Sequence, residues 1–174
     1  MIRVAARGTG RYPSEKESEM PKFTALPTET VRALQRGAPD AFATPPERAI
    51  SDGNGNPCRH CLKDIPEGAE MLILAHKPFE GTHPYAEVGP IFLCAEMCAN
   101  GSSEQIPEIL TTSPDYLLKG YSGDDRIVYG TGAIIVKDEI PPRVSEIFTD
   151  DRVKYIHVRS ARNNCYQLRI DRDA

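Results

Sequence analysis

Apolar residues fall into a regular pattern only from Met20 onward, and that pattern predicts a short list of elements. Thr28-Glu29-Thr30-Val31 offers an N-cap, Val31 and Leu34 share one face, and Gly37 stops the run, which predicts a helix. Residues 38–57 read as loop, with Pro39, Pro45, Pro46 and the turn cluster Gly53-Asn54-Gly55-Asn56-Pro57. Met71–His76 (MLILAH) and Pro90–Cys94 (PIFLC) read as buried strands, separated by an irregular stretch that contains His83-Pro84-Tyr85. Short helices are expected around Ile106–Leu110 and Pro114–Leu118, and strands at Arg126–Tyr129 and Gly132–Val136. A helix over Pro142–Phe148 tolerates Pro142 in its first turn. The chain closes with strands at Val153–Ser160 and Cys165–Ile170. Strands with irregular connections and few crossover helices predict an α+β fold, a single domain built on a mostly antiparallel sheet.

The last two strands set a testable register. Alternation puts Tyr155, His157 and Arg159 on one face of the first, and Ile156 and Val158 on the other. In the second strand Cys165, Gln167 and Arg169 oppose Tyr166, Leu168 and Ile170. Matching the apolar faces pairs Val158 with Tyr166 or Leu168. That leaves an odd number of loop residues, and three, with an Asn in the left-handed region, suits Ala161-Arg162-Asn163-Asn164. A two-residue turn would pair Val158 with Gln167 and send the apolar sets to opposite faces.

Composition narrows the function. Residues 1–19 carry early arginines, late charges and no period, and read as a disordered extension outside a domain spanning 20–174. Arg3, Arg7 and Arg11 precede any acid, so a transit peptide is the other reading of that stretch. There is no apolar h-region in it and no apolar run near 18 residues anywhere, which argues against secretion and against a membrane span. A net charge of −4 argues against general nucleic-acid binding. Charge is uneven, however: Arg152 to Arg172 holds six Lys/Arg and one acid, Asp171, a local field suited to a small anionic ligand. Five cysteines in a chain too large to need staples fit a reducing, cytoplasmic compartment.

Two constellations could carry chemistry. Cys58-x-x-Cys61 follows a turn, and Cys94-x-x-x-Cys98 closes a strand; two thiolate pairs can complete a zinc tetrahedron. Leu62 stands where such knuckles commonly have glycine, and His60 is expected to point away if its neighbours ligate. Buried unreactive thiols and a redox dithiol at Cys58/Cys61 are the competing readings. The second constellation is the polar face of the closing hairpin, where His157, Arg159, Gln167, Arg169 and Cys165 gather. It is either a solvated sheet face or an anion or carboxylate pocket, with Arg159 and Arg126 or Arg162 as bidentate donors. If Asp124, Asp125 or Glu87 supplies Arg159 with a counter-charge, the cluster is structural.

Four segments resemble a known family: Pro57-Cys58-Arg59-His60-Cys61-Leu62, Gly89-Pro90-Ile91-Phe92, Asp124 to Gly130, and Tyr155 to Cys165. Together they are similar to the bacterial domain-of-unknown-function family 1203, over roughly Met20 to the C-terminus. The resemblance implies a bacterial cytoplasmic protein and leaves residues 1–19 outside the domain. The residues themselves favour a small-ligand or anion-binding domain centred on His157, Arg159, Arg162, Gln167 and Arg126, with zinc on Cys58, Cys61, Cys94 and Cys98. An enzyme using His157, Arg159 and Cys165 is the alternative, and a protein-interaction module the third reading.

Overall fold

The computed structural model describes residues 21–172; the expectations for residues 1–19 lie outside the described residues. Two antiparallel sheets make the framework. The larger is ordered β1-β8-β7-β5-β6, from Lys22–Thr24 (β1), Tyr166–Asp171 (β8), Tyr155–Ser160 (β7), Asp115–Tyr121 (β5) and Ala133–Val136 (β6). The smaller is ordered β2-β3-β4, from Glu47–Ile50 (β2), Glu70–His76 (β3) and Gly89–Cys94 (β4). Two helices, Thr28–Gln35 (α1) and Ile140–Ile147 (α2), complete it, so the α+β reading holds. No helix among the described residues is long and apolar enough to cross a membrane.

Each helix covers one sheet. From α2, Ile140, Val144 and Ile147 pack in one core with Leu118 of β5, Ile156 and Val158 of β7, and Leu168 and Ile170 of β8. From α1, Val31 and Leu34 join Leu72 and Leu74 of β3 and Ile91 and Leu93 of β4 in a second core. Burying each such side chain stabilises by about 1.5–3 kcal/mol, so two cores of this size are what hold so loop-rich a chain. A third, smaller cluster of Phe79, Tyr121 and Tyr155 lies apart from both.

Four elements differ from the sequence reading, the first being β1, a three-residue strand too short to carry a pattern. Pro114–Leu118 is not a helix: Asp115–Tyr121 is a strand paired on both sides, to β6 and to β7. Leucines and tyrosines suit either state, and pairing on both edges overrides local preference. Arg126–Tyr129 is a turn region with one bridge, Tyr121 to Ile127. Within the expected loop 38–57 lies β2, whose residues are mostly exposed and so lack the apolar alternation that marks a strand.

Ile156 is fully buried, opposite Ile170 on one side and Gly120 on the other. Ile156→Ala is expected to cost about 2–5 kcal/mol of unfolding free energy, read by urea denaturation; a loss under about 1 kcal/mol would show that this sheet face is not the main core.

Candidate functional site

The first site is built by a turn and a strand end. Pro57 and Asp64 bridge across the turn, Cys58 N–H donates to Lys63 O at 2.9 Å, and Leu62 N–H donates to Cys58 O at 3.0 Å. Leu62 adopts the left-handed conformation (φ 55°) where knuckles commonly use glycine. That costs about 1–2 kcal/mol, and the burial of its side chain in the main core, worth a similar amount, offsets it. Cys94 ends β4, and its N–H donates to Cys58 Sγ at 3.3 Å.

The result is a cluster in which the sulfurs of Cys58, Cys61, Cys94 and Cys98 all lie within 4.8 Å of one another. Cys61 and Cys94 Sγ are 3.9 Å apart, far beyond a disulfide bond. Four sulfurs on a tetrahedron around zinc, each at about 2.3 Å, stand about 3.8 Å apart. The donor set and its spacing therefore fit a metal ion, as the two-pair spacing led us to expect.

The surroundings of the cluster are cationic or donor groups. From α1, Arg32 donates to Cys98 O at 2.6 Å, and Gln35 donates to Cys94 O at 2.9 Å and Glu96 O at 2.8 Å, clamping the second cysteine loop. His60 Nδ1 lies 3.1 Å from Cys98 Sγ, and its Nε2 lies 3.0 Å from Thr28 Oγ1. His60 is thus not turned away; it touches the cluster from outside. Burial lowers its pKa, and a neutral ring with Nδ1–H on sulfur and Nε2 accepting from Thr28 satisfies both contacts. Gly101 closes the wall: its N–H donates to His60 O, and a Cβ there would meet Cys61 O at 2.2 Å. Hydrogen bonds from Cys61 and Cys94 hold the Cys58 thiol well below its usual range, whereas burial pushes Cys98 up to about 12. One thiolate forms readily and further negative charge is resisted, the situation a divalent cation reverses.

Arg59 is the least expected member. It is 2% exposed, and among the described residues no carboxylate pairs with it. Its Nε donates to Tyr166 O at 2.8 Å and its Nη1 to Pro57 O, and the ring of Phe92 lies 5.7 Å from it. Burial lowers its pKa to about 10, and the Cys165 and Cys58 thiols work against that shift.

The second site is the hairpin of β7 and β8. At its base the register is the expected one, with Val158 opposite Leu168, His157 opposite Arg169 and Ile156 opposite Ile170. Beyond Val158 the register shifts, and Arg159 opposes Tyr166. The connection is then four residues, 161–164, not three, closed by Ser160 N–H to Cys165 O at 2.9 Å; Asn164 takes the left-handed position (φ 57°). A bulge at Gln167 reconciles the even loop with matched apolar faces. It also moves Tyr166 off the α2-facing core, where Leu168 and Ile170 stay, and into the second core beside Cys58 and Ile65.

The polar face of this hairpin is not solvated, because residues 77–88 and the smaller sheet cover it. His157 is 1% exposed and sits among the rings of Phe79, Tyr121, Tyr155 and Tyr166, with centroids 4.7–5.1 Å away. Arg159 is buried, with Nη1 2.8 Å from Glu87 Oε2 and 3.1 Å from Asn164 O. Glu87 is therefore its counter-charge, and this guanidinium is not an unpaired anion receptor. The other expected donors lie elsewhere. Arg162 pairs with Asp115 at 2.7 Å on the surface, and Arg126 lies over the ring of Tyr85 at 5.2 Å. Gln167 donates to Cys165 O at 3.4 Å. Cys165 Sγ lies 3.7 Å from Asn163 O, and the aromatic box around His157 does not include it.

Instead the hairpin opens on a cleft of about 730 Å³ between β7–β8, residues 24–30 and residues 76–80. Arg169, Tyr155, His157 and His76 line it. Arg169 lies over the Tyr155 ring at 3.8 Å, with its Nε on Asp171. His157 Nδ1 and His76 Nε2 are buried without a hydrogen-bond partner. The place of Arg169 on the polar face was legible from alternation, whereas His76, the last residue of an apolar strand, carried no signal in the sequence.

Residues 55–172 match the family of proteins of unknown function DUF1203, and the chain belongs to it. The match takes in the knuckle, β3, β4 and the whole hairpin, and leaves out β1, α1 and β2. No curated protein and no solved structure matches the chain.

The buried histidines make stability depend on pH. Burial, with Arg59 and Arg159 nearby, lowers the pKa of His76 to about 4 from 6.5, and burial drives His157 well down. Both are neutral when folded and take up a proton on unfolding below their ordinary pKa, so the unfolded chain binds more protons there. Stability is full above pH 6.5 and is lost as pH falls toward 4. Between about pH 7 and pH 5 His76 alone should remove about 2 kcal/mol. Urea denaturation at several pH values should show that slope, shallower in His76→Gln; identical slopes would contradict it.

Proposed function

We propose that this is a zinc-stapled, small-ligand-binding domain that works in the cytoplasm. The reading rests on one observation: four sulfurs within 4.8 Å of one another, walled by buried cationic and donor groups. Zinc held by four thiolates carries a net double negative charge. Arg59 beside Cys58 and Arg32 on the Cys98 carbonyl supply two positive charges against it, and His60 and the Cys94 backbone supply N–H donors to sulfur. Neutral thiols would leave Arg59 as a buried charge without a partner, at a cost of several kcal/mol. That charge balance favours the metal over buried unreactive thiols. A redox dithiol fits less well, because Cys61 faces Cys94 across the turn as well as Cys58 beside it. All five cysteines are free, which suits a reducing compartment. The ligand is a small anion, held at the closing hairpin.

Metal analysis of the purified chain should find one zinc per chain. Cys94→Ser should lose it together with a large part of the melting temperature, whereas Cys165→Ser should keep both. His60→Ala should retain zinc at about 10–100-fold lower affinity, as removal of an outer hydrogen bond to a ligand does. Iron in place of zinc, or a metal-free chain as stable as the loaded one, would overturn the proposal.

A further inference from the structure

We infer that the 730 Å³ cleft beside the hairpin receives a small organic monocarboxylate with an apolar body, its carboxylate on Arg169. This deepens the ligand-binding part of the reading above and does not depend on the metal. The volume lies within the range of small-molecule sites, about 300–1,000 Å³.

Arg169 is held in place rather than spent. Asp171 takes its Nε and is itself fixed by Thr24 Oγ1 at 2.6 Å, while the Tyr155 ring lies beneath the guanidinium. Among the described residues no hydrogen bond engages its two Nη nitrogens, the edge that grips a carboxylate with two parallel bonds. Leu26, Pro27, Pro78 and Phe79 give the cleft an apolar wall that a bare ion would not use.

The floor is polar and unfinished. His157 is buried to 1% exposure and lines the cleft, and its Nδ1 has no partner; His76, also lining it, has an unpartnered Nε2. Buried polar atoms without partners are destabilising, and a bound ligand or the water it organises relieves that. Both rings are neutral, so they serve as hydrogen-bonding groups and not as counter-ions.

Charge decides between carboxylate and phosphate. Lys77, Lys154 and Arg169 line the cleft, and so do Glu80, Asp125 and Asp171. With formal charges balanced and a single free guanidinium edge, a monoanion is accepted and a dianion is repelled. Asp125 already accepts from Tyr155 Oη at 2.6 Å and adds to that repulsion.

The test uses the zinc-loaded full chain with benzoate, its neutral isostere benzamide and inorganic phosphate, titrated by calorimetry. Benzoate should bind saturably, benzamide and phosphate much more weakly. Arg169→Leu should weaken benzoate at least about tenfold, the loss of a charge-assisted pair; Arg48→Ala, on the smaller sheet, should not. In case Arg169→Leu does not fold, the wild-type ring signals provide the same test by NMR: benzoate should shift His76 and His157 and leave His60 in place. No benzoate binding, tighter phosphate binding, an unaffected Arg169→Leu, or a shift at His60 alone would each overturn the inference. A chain that binds benzoate without zinc overturns the metal reading only, and a zinc-loaded chain that ignores benzoate overturns this one only.

Discussion

The turn from Pro57 to Asp64 ties together β4, β8 and three separate stretches of chain, at Leu26, Gly101 and Ile109. Arg59 N–H donates to Phe92 O in β4, and Leu26 N–H donates back to Arg59 O. Arg59 Nε reaches Tyr166 O in β8, His60 O receives the Gly101 N–H, and Leu62 O receives that of Ile109. Its side chains divide between the two cores: Leu62 enters the one under α2, while Cys58 enters the one under α1 and Cys61 packs against it. Backbone groups buried at such a junction must all be paired. Displacing the turn would therefore open both sheets at once, and a metal bound to Cys58 and Cys61 would fix the piece that both sheets share.

Electrostatics around this junction are unusual for an acidic protein. The described interior contains two buried guanidinium groups, Arg59 and Arg159, and three neutral imidazoles, the buried His60 and His157 and the half-buried His76. Arg159 has Glu87, and Glu87 also lies 3.4 Å from Lys119. Arg59 has only carbonyls, a ring and thiols. The histidines stay neutral because protonation would add a third positive charge to the same low-dielectric volume. Charge at the thiol cluster and charge along the hairpin are thus coupled through Arg59, which bonds to Tyr166 from one side and neighbours Cys58 on the other.

Much of this was readable in the residues. The apolar pattern found α1, α2, β3, β4, β6, β7 and β8, since each carries an apolar run or stripe that is written locally. The cysteine spacing marked the four thiols, and apolar matching gave the base register of the hairpin. The readings that did not match the structure have definite causes. At Asp115–Tyr121, pairing on both edges of β5 overrode a helical reading of leucines. At Glu47–Ile50, an exposed edge strand left no apolar trace.

The sequence by itself determined the α+β class, the two cysteine pairs and the register at the base of the hairpin, because each depends on residue types at fixed short separations. Only the tertiary structure decided what those pieces face. The bulge at Gln167 turned Tyr166 toward the knuckle, and it arose from a four-residue loop that no spacing rule required. Glu87 reached Arg159 across 72 residues of chain, and Arg162 and Arg126 were drawn to other partners. Arg169 kept a free edge because Asp171, two residues on, holds its Nε and no hydrogen bond among the described residues engages its two Nη nitrogens. Strand alternation fixes the face on which a side chain leaves the backbone; the partner it finds there belongs to whatever distant segment the fold lays over that face.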